Sequence, residues 1–320
     1  MPNRVVYFNG EWVSEREARV SIFDSALMFG DMAFEMTRTF NQKPFKLREH
    51  LDRLYASLKL MEIDCGLTID EMEQITLEGL KKNIGTEPDD MDWQIMHDVS
   101  RGVMGFYETV FPEGVQPTVS INYWPLILHA GTSAAKYDTG VDLVIPAQQA
   151  VPAHLIDPKT KNRSRLHYQL ANLQAARMNN STPILLDPDG YLTESTGANL
   201  FLVKEGVLYT PEPRNILLGV SRATAIELAE QLRVPVIEKN MGRYEALMAD
   251  EIFITSTPFC MMHAATFESQ IISDGKPGPI FTRIANAWKK RVGIDFVTQA
   301  RAYEGRMEAW KTKEIRGDIE

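Results

Sequence analysis

Ile184-Leu185-Leu186, the turn Pro188-Asp189-Gly190, Tyr191-Leu192-Thr193, then Asn199-Leu200-Phe201-Leu202-Val203, the turn Lys204-Glu205-Gly206 and Val207-Leu208-Tyr209 form one run of short apolar segments broken by turn residues. Segments this short, bounded by Gly, Pro and Asp, read as hairpins in a β-meander. Working outward, Val141 to Ile145 reads as a strand stopped by Pro146, and the basic stretch Lys159 to Arg165 leads into a helix of about Leu166 to Met178. Downstream come a helix from Arg222 to Leu232, a strand from Glu251 to Thr255, and a charged helical end from about Thr282.

The N-terminal part has a different texture. Val5 to Phe8 and Glu11 to Val13 flank Asn9-Gly10, a tight-turn dipeptide, and read as a hairpin. A second strand, Ala33 to Phe40, is followed by two helices. Leu47, Leu51, Leu54, Leu58 and Met61 recur with helical period. Thr68 with Glu71 three residues on is a capping box for a helix reaching Asn83. Trp93 to Val99 and Thr118 to Tyr123 read as further strands. Residues 130–139, rich in small residues, read as the connection between domains. The expected fold class is α+β, with a small domain over 1–129, a connection over 130–140, a larger domain over 141–295 and a charged helical extension over 296–320.

The 320 residues are 44% hydrophobic and 24% charged, with a formal net charge of -9. That is a globular composition, and the acidic balance argues against a nucleic-acid partner. No apolar run approaches the roughly 18 residues of a membrane span. The opening reads as a strand and turn rather than a signal peptide, so a cytoplasmic location is expected. Cys65 and Cys260 are far apart and have no metal-knuckle spacing, so no metal is expected.

Several residues suggest chemistry. Gly219-Val220-Ser221 opens a helix, where free amides favour an anion. An ordinary capped helix and the elbow of a serine hydrolase are the competing readings, the latter weakened by Ala223 at the fifth position. Thr255-Ser256-Thr257 closes a strand and either finishes a turn or adds hydroxyls to an anion nest. Strand alternation puts Phe34, Met36, Arg38 and Phe40 on one face, so Arg38 needs either a structural ion-pair partner or a carboxylate ligand. Arg101, beside Gly102 at a strand end, suits a carboxylate or is an ordinary surface arginine. Spacing alone gives Arg53 no preference and does not choose among Lys159, Lys161, Arg163 and Arg165.

Taken in order, the motifs resemble the class IV aminotransferases, the pyridoxal-phosphate enzymes of fold type IV. They are Phe29-Gly30-Asp31 with Phe34-Glu35 and Arg38; His50-Leu51-Asp52-Arg53-Leu54; Ser100-Arg101-Gly102; Lys161 with the helix Leu170 to Ala175; Asp189 to Glu194 with Asn199-Leu200-Phe201; Leu218 to Arg222; and Asp250 to Phe253 with Thr255-Ser256-Thr257. The resemblance runs from about Tyr7 to Gly293. It implies two α/β domains of the D-amino acid aminotransferase-like architecture, bound pyridoxal 5'-phosphate and a homodimer. By the same resemblance Lys161 is the lysine that bonds the cofactor aldehyde. Arg53 holds the phosphate, Glu194 faces the pyridine nitrogen, and Gly219, Val220, Ser221 and Thr257 cradle the phosphate. Arg165 falls close to the ring hydroxyl, and Phe34, Arg38 and Arg101 fall at substrate positions.

The implied reaction moves an amino group between a small amino acid, branched-chain or apolar first, and a 2-oxo acid. The alternatives are a D-amino acid or R-selective amine transaminase, an aminodeoxychorismate lyase, and a non-catalytic relative. Phe34 fits the branched-chain pattern, where D-amino acid enzymes often carry tyrosine. Phe29 and Met36 depart from the tyrosine and glycine common in branched-chain enzymes, and Met36 is expected to narrow the pocket.

Overall fold

A computed structural model describes residues 4–110 and 115–316. The chain divides into two compact units. One comprises Met1–Gly131, Thr160–Arg165 and Tyr303–Glu320; the other comprises Thr132–Lys159 and Leu166–Ala302. The stretch read as a connection contains short helical turns, Gly131–Ser133 and Lys136–Thr139, and a third, Ile127–Ala130, leads into it. Small residues permit such turns as readily as a loop.

The first unit is a sheet built from β1 (Val5–Phe8), β2 (Glu11–Ser14), β3 (Met32–Phe40), β4 (Lys43–Pro44), β5 (Trp93–Ser100) and β6 (Thr118–Pro125). Their order is β2-β1-β6-β5-β3-β4, with every pairing antiparallel. Asn9 and Gly10 both take positive φ in the first hairpin, as a two-residue turn of this kind demands. The helices Leu47–Leu60 and Ile69–Asn83 pack on one face. That face buries Ala33, Ile95, Val99, Ile121 and Tyr123 against Leu51, Leu54 and Met72. Thr68 and Glu71 form the expected capping box. The half-buried Met36, Asp98, Ser120, Asn122 and Trp124 all fall on the opposite face, because alternation and register put them there.

Two distant segments join this unit. Residues 161–163 run antiparallel along the edge of β3 that β5 leaves free. The Phe34 amide donates to the Lys161 carbonyl at 2.9 Å and the Arg163 amide to the Met32 carbonyl at 2.9 Å. Farther on, the helix Phe296–Arg316 brings in Tyr303, whose buried hydroxyl donates to the Asp90 carbonyl at 3.0 Å and accepts from the Asp92 amide at 2.9 Å.

The second unit contains β7 (Val141–Val144), β8 (Thr182–Leu186), β9 (Leu192–Ser195), β10 (Asn199–Lys204), β11 (Val207–Thr210), β12 (Val236–Glu238), β13 (Glu251–Ser256), β14 (Cys260–Phe267) and β15 (Gln270–Ile271). The expected hairpins β8–β9 and β10–β11 are present. Beyond them β7 lies parallel to both β8 and β14, and β9 pairs with β10 as well as β8. The ring β10-β13-β14-β7-β8-β9 therefore closes on itself, which removes most exposed strand edge. Its apolar residues include Phe201 and Phe253, stacked with centroids 4.9 Å apart. Glu251 caps the helix Pro279–Val292, accepting from the amides of Ile280 and Phe281 at 2.9 and 2.8 Å.

Candidate active site

In the first unit, the register against β3 sets Lys161 opposite Phe34, with Arg163 two residues on and therefore on the same side. The Lys161 ammonium lies 4.6 Å from the Phe34 ring centroid, and the guanidinium carbons of Arg163 and Arg165 lie at 3.9 and 5.2 Å. The Lys161 amide donates to Ser57 Oγ at 3.1 Å, and that hydroxyl donates to the Arg53 carbonyl at 2.9 Å. Gly30 approaches the same segment. With φ at 69°, a Cβ on it would stand 2.7 Å from Ser164 Oγ and 3.0 Å from Ser164 Cα. Lysine backbone and helix are thus fixed to each other through short contacts.

Arg53 lies beneath this segment on the Leu47–Leu60 helix. Its Nε and Nη2 each donate to the fully buried Glu35 at 2.7 Å, and His50 Nδ1 lies 3.0 Å from the same carboxylate. Burial alone would push the Glu35 carboxyl up, but the Arg53 guanidinium and His50 hold it well below its ordinary range. Burial lowers His50, against the pull of Glu35.

Arg38 is 2% exposed, stacks 3.9 Å over the Phe40 ring and donates from Nε to the Thr39 carbonyl at 3.2 Å. The Arg101 side chain is 46% exposed and pairs with Asp31 at 2.7 Å. It also donates to the carbonyls of Glu62 and Met61 at 2.9 and 2.8 Å.

In the second unit, Glu194 on β9 is buried and accepts three hydrogen bonds. They come from the Tyr168 hydroxyl at 3.2 Å, Asn199 Nδ2 at 2.9 Å and the Leu217 amide at 3.1 Å. The same Asn199 amide group donates to the Leu217 carbonyl at 2.9 Å. Gly219 then starts the helix Val220–Gln231, which no side chain caps. A Cβ on Gly219 would overlap Asn199 Oδ1. Thr257 sits in the turn between β13 and β14, next to Ser256, whose hydroxyl donates to the Gly197 carbonyl at 2.6 Å. The structure thus groups Lys161, Phe34, Arg53 and Arg165 in one unit and Glu194, Gly219, Val220 and Ser221 in the other.

A family model, amino-transferase class IV, matches residues 32–266. The chain belongs to the class IV aminotransferases. It is 32% identical over 285 residues to a putative branched-chain-amino-acid aminotransferase of Methanocaldococcus jannaschii, covering 89% of this chain and 95% of that one. It is 29% identical over 289 residues to the branched-chain-amino-acid aminotransferase of Escherichia coli strain K12, covering 88% and 91%. A crystal structure of an Escherichia coli branched-chain amino acid aminotransferase superposes with a TM-score of 0.81 at 28% identity, covering 90% of this chain and 94% of that one. A T.th. branched-chain amino acid aminotransferase crystallised with pyridoxamine 5'-phosphate gives 0.81 at 26% identity, covering 94% and 96%. The fold is accordingly that of the fold-type IV enzymes, and the chain is a transaminase.

For this class IV aminotransferase, sequence reasoning passed over Glu35, His50, Tyr168 and Asn199 as working residues. Glu35 had a visible signal: apart from Arg38 it is the one charged residue in a strand otherwise made of apolar and small residues. Nothing local paired it with Arg53. Asp98 was also passed over as the partner of Arg163. Arg163 Nη2 and Nε donate to Asp98 at 2.7 and 3.1 Å, and Asp98 stands opposite Phe34 in the β3–β5 register. Burial pushes the Asp98 carboxyl up, and Arg163 pulls it part of the way back.

Proposed function

We propose that this transaminase uses pyridoxal 5'-phosphate bonded to Lys161, and takes an amino group from a branched-chain or other apolar amino acid for transfer to a 2-oxo acid. The observation that carries the reading is the fixed placement of Lys161, its backbone tied to β3 and Ser57 and its amine set against the Phe34 ring. The fit to the cofactor has independent support. Glu194 is a buried carboxylate held by three donors, and an uncapped helix start follows, at a glycine whose Cβ would find no room.

When bound, the cofactor supplies an electron-withdrawing ring and an aldehyde carbon that accepts and returns an amino group. Lys161 Nζ would hold it and would move a proton at the reacting carbon. Arg165 also faces the Phe34 ring that the amine contacts and places positive charge beside it. Glu194 would hold a proton at the pyridine nitrogen, and Tyr168 and Asn199 keep Glu194 in place. The family resemblance assigns the phosphate to Arg53 in the first unit and to the amides of Val220 and Ser221 and the Thr257 hydroxyl in the second. By the same resemblance Arg165 would serve the ring hydroxyl. Phe34 and Met36 give the amino acid side chain an apolar surface, and Arg38 and Arg101 serve substrate carboxylates. The apolar character of Phe34, Met36 and Met96 on one sheet face, with the names carried by the relatives, favours branched-chain donors.

The test mixes purified protein with pyridoxal phosphate and screens both enantiomers of leucine and alanine as donors. A yellow protein that transfers from L-leucine, and a colourless Lys161→Ala variant, are expected. Colour that survives in the variant would overturn the lysine assignment. Transfer from D-alanine but not L-leucine would overturn the branched-chain preference.

A further inference from the structure

The open face of the first unit's sheet carries a charged device that the proposed chemistry does not use. Arg163 leaves the segment paired to the free edge of β3 and crosses the Phe34 ring at 3.9 Å. It ends on Asp98, which stands opposite Phe34 on β5. Nε and Nη2 are both engaged by Asp98 Oδ1, and Nη2 also meets Met96 Sδ at 3.4 Å. Nη1 has no hydrogen-bond partner among the described residues, and the side chain is 37% exposed. A flat cation is therefore clamped by a carboxylate on one edge and an aromatic ring below, with its other edge open. Lys161 Nζ contacts the same ring at 4.6 Å, so amine and guanidinium lie within one small ligand's length of each other.

We propose that Arg163, held across Phe34 by Asp98, receives the distal carboxylate of a dicarboxylic 2-oxo acid. This rests on the reading of Lys161 as the reacting amine. The neighbours suit such a ligand. Met36 and Met96 face each other across β3 and β5, and a short methylene chain can lie over their thioethers and end at the guanidinium. Asp98 has a second effect. It neutralises much of the cation when no second carboxylate is present, so the same surface still accepts a branched apolar side chain, and one site serves both partners of the exchange. An open guanidinium edge adds charge-assisted hydrogen bonds only to the diacid.

The experiment measures binding of two unreactive acids, glutarate and 4-methylpentanoate, to the pyridoxal phosphate-loaded protein through the change in cofactor absorbance. In Arg163→Gln, glutarate affinity falls about tenfold or more while 4-methylpentanoate stays within about threefold. Arg163→Lys keeps the charge without the fork and recovers part of the loss. The KM for 2-oxoglutarate rises in step with the glutarate effect, and the KM for L-leucine does not. Equal loss for both acids, or loss for neither, overturns the assignment while leaving the transaminase reading intact. A wild-type protein that neither turns yellow nor exchanges amino groups removes the reading of Lys161, and the assignment falls with it.

Discussion

Replacing Glu35 with glutamine tests how the Arg53 side chain is held. Wild-type Glu35 receives two 2.7 Å bonds from Arg53, a 3.0 Å contact with His50 Nδ1 and the Met36 amide at 2.8 Å, with its side chain wholly buried. The amide keeps the shape, and its oxygen still accepts from Met36. It removes the negative charge and leaves a guanidinium only 12% exposed without its counter-ion. Breaking a buried ion pair in this way costs about 3 kcal/mol. A drop of that size in urea unfolding near neutral pH is expected. The gap should also depend on pH in a definite direction. Glu35 is held below its ordinary 4.5, so the wild-type advantage is fully present above that value and is lost as pH falls through the lower folded one. The gap widens as pH falls through the lowered value of wild-type His50, which lies below 6.5. Burial already disfavours the charged form of His50, and without the carboxylate beside it the folded variant resists its protonation further. If Arg53 holds the cofactor phosphate, pyridoxal phosphate affinity also falls about tenfold, as expected for one charge-assisted contact disturbed. A gap below about 1 kcal/mol near neutral pH, or a gap that does not close in acid, would refute the reasoning.

Two further outcomes follow from the geometry. Gly219→Ala pushes a methyl into Asn199, which holds both Glu194 and the Leu217 carbonyl; a loss of about 1–3 kcal/mol is expected, with weaker cofactor binding in a spectroscopic titration, and unchanged values in both would count against the close approach. Tyr303→Phe strands the Asp92 amide and the Asp90 carbonyl, and about 1–3 kcal/mol is expected in urea unfolding; an unchanged midpoint would show that the C-terminal helix does not hold this end of the sheet.

Much of the fold was legible because its signals are local. The Asn9-Gly10 hairpin, the capping box at Thr68 and the strand-turn-strand runs from Thr182 to Thr210 each depend on residues a few positions apart. Alternation along β3 correctly set Phe34, Met36 and Arg38 on one face. The site was legible only in part. The order of motifs named the family and pointed to Lys161, but the four basic residues from Lys159 to Arg165 look alike in sequence. What distinguishes them is the pairing of Asn162 with Ala33, a contact between residues far apart in the chain.

The chain itself determined the local elements and the kind of chemistry, because propensity, capping and periodicity act over a few residues and the motifs carry the reaction's functional groups. Tertiary structure alone decided which groups touch. It made Glu35 the partner of Arg53 and His50, laid Arg163 over Phe34 onto Asp98, and closed the ring of strands through β9 and β10. The physical reason is range. A charge buried at one point must find its counter-charge wherever packing brings one within about 4 Å, and separation along the sequence does not say where that is.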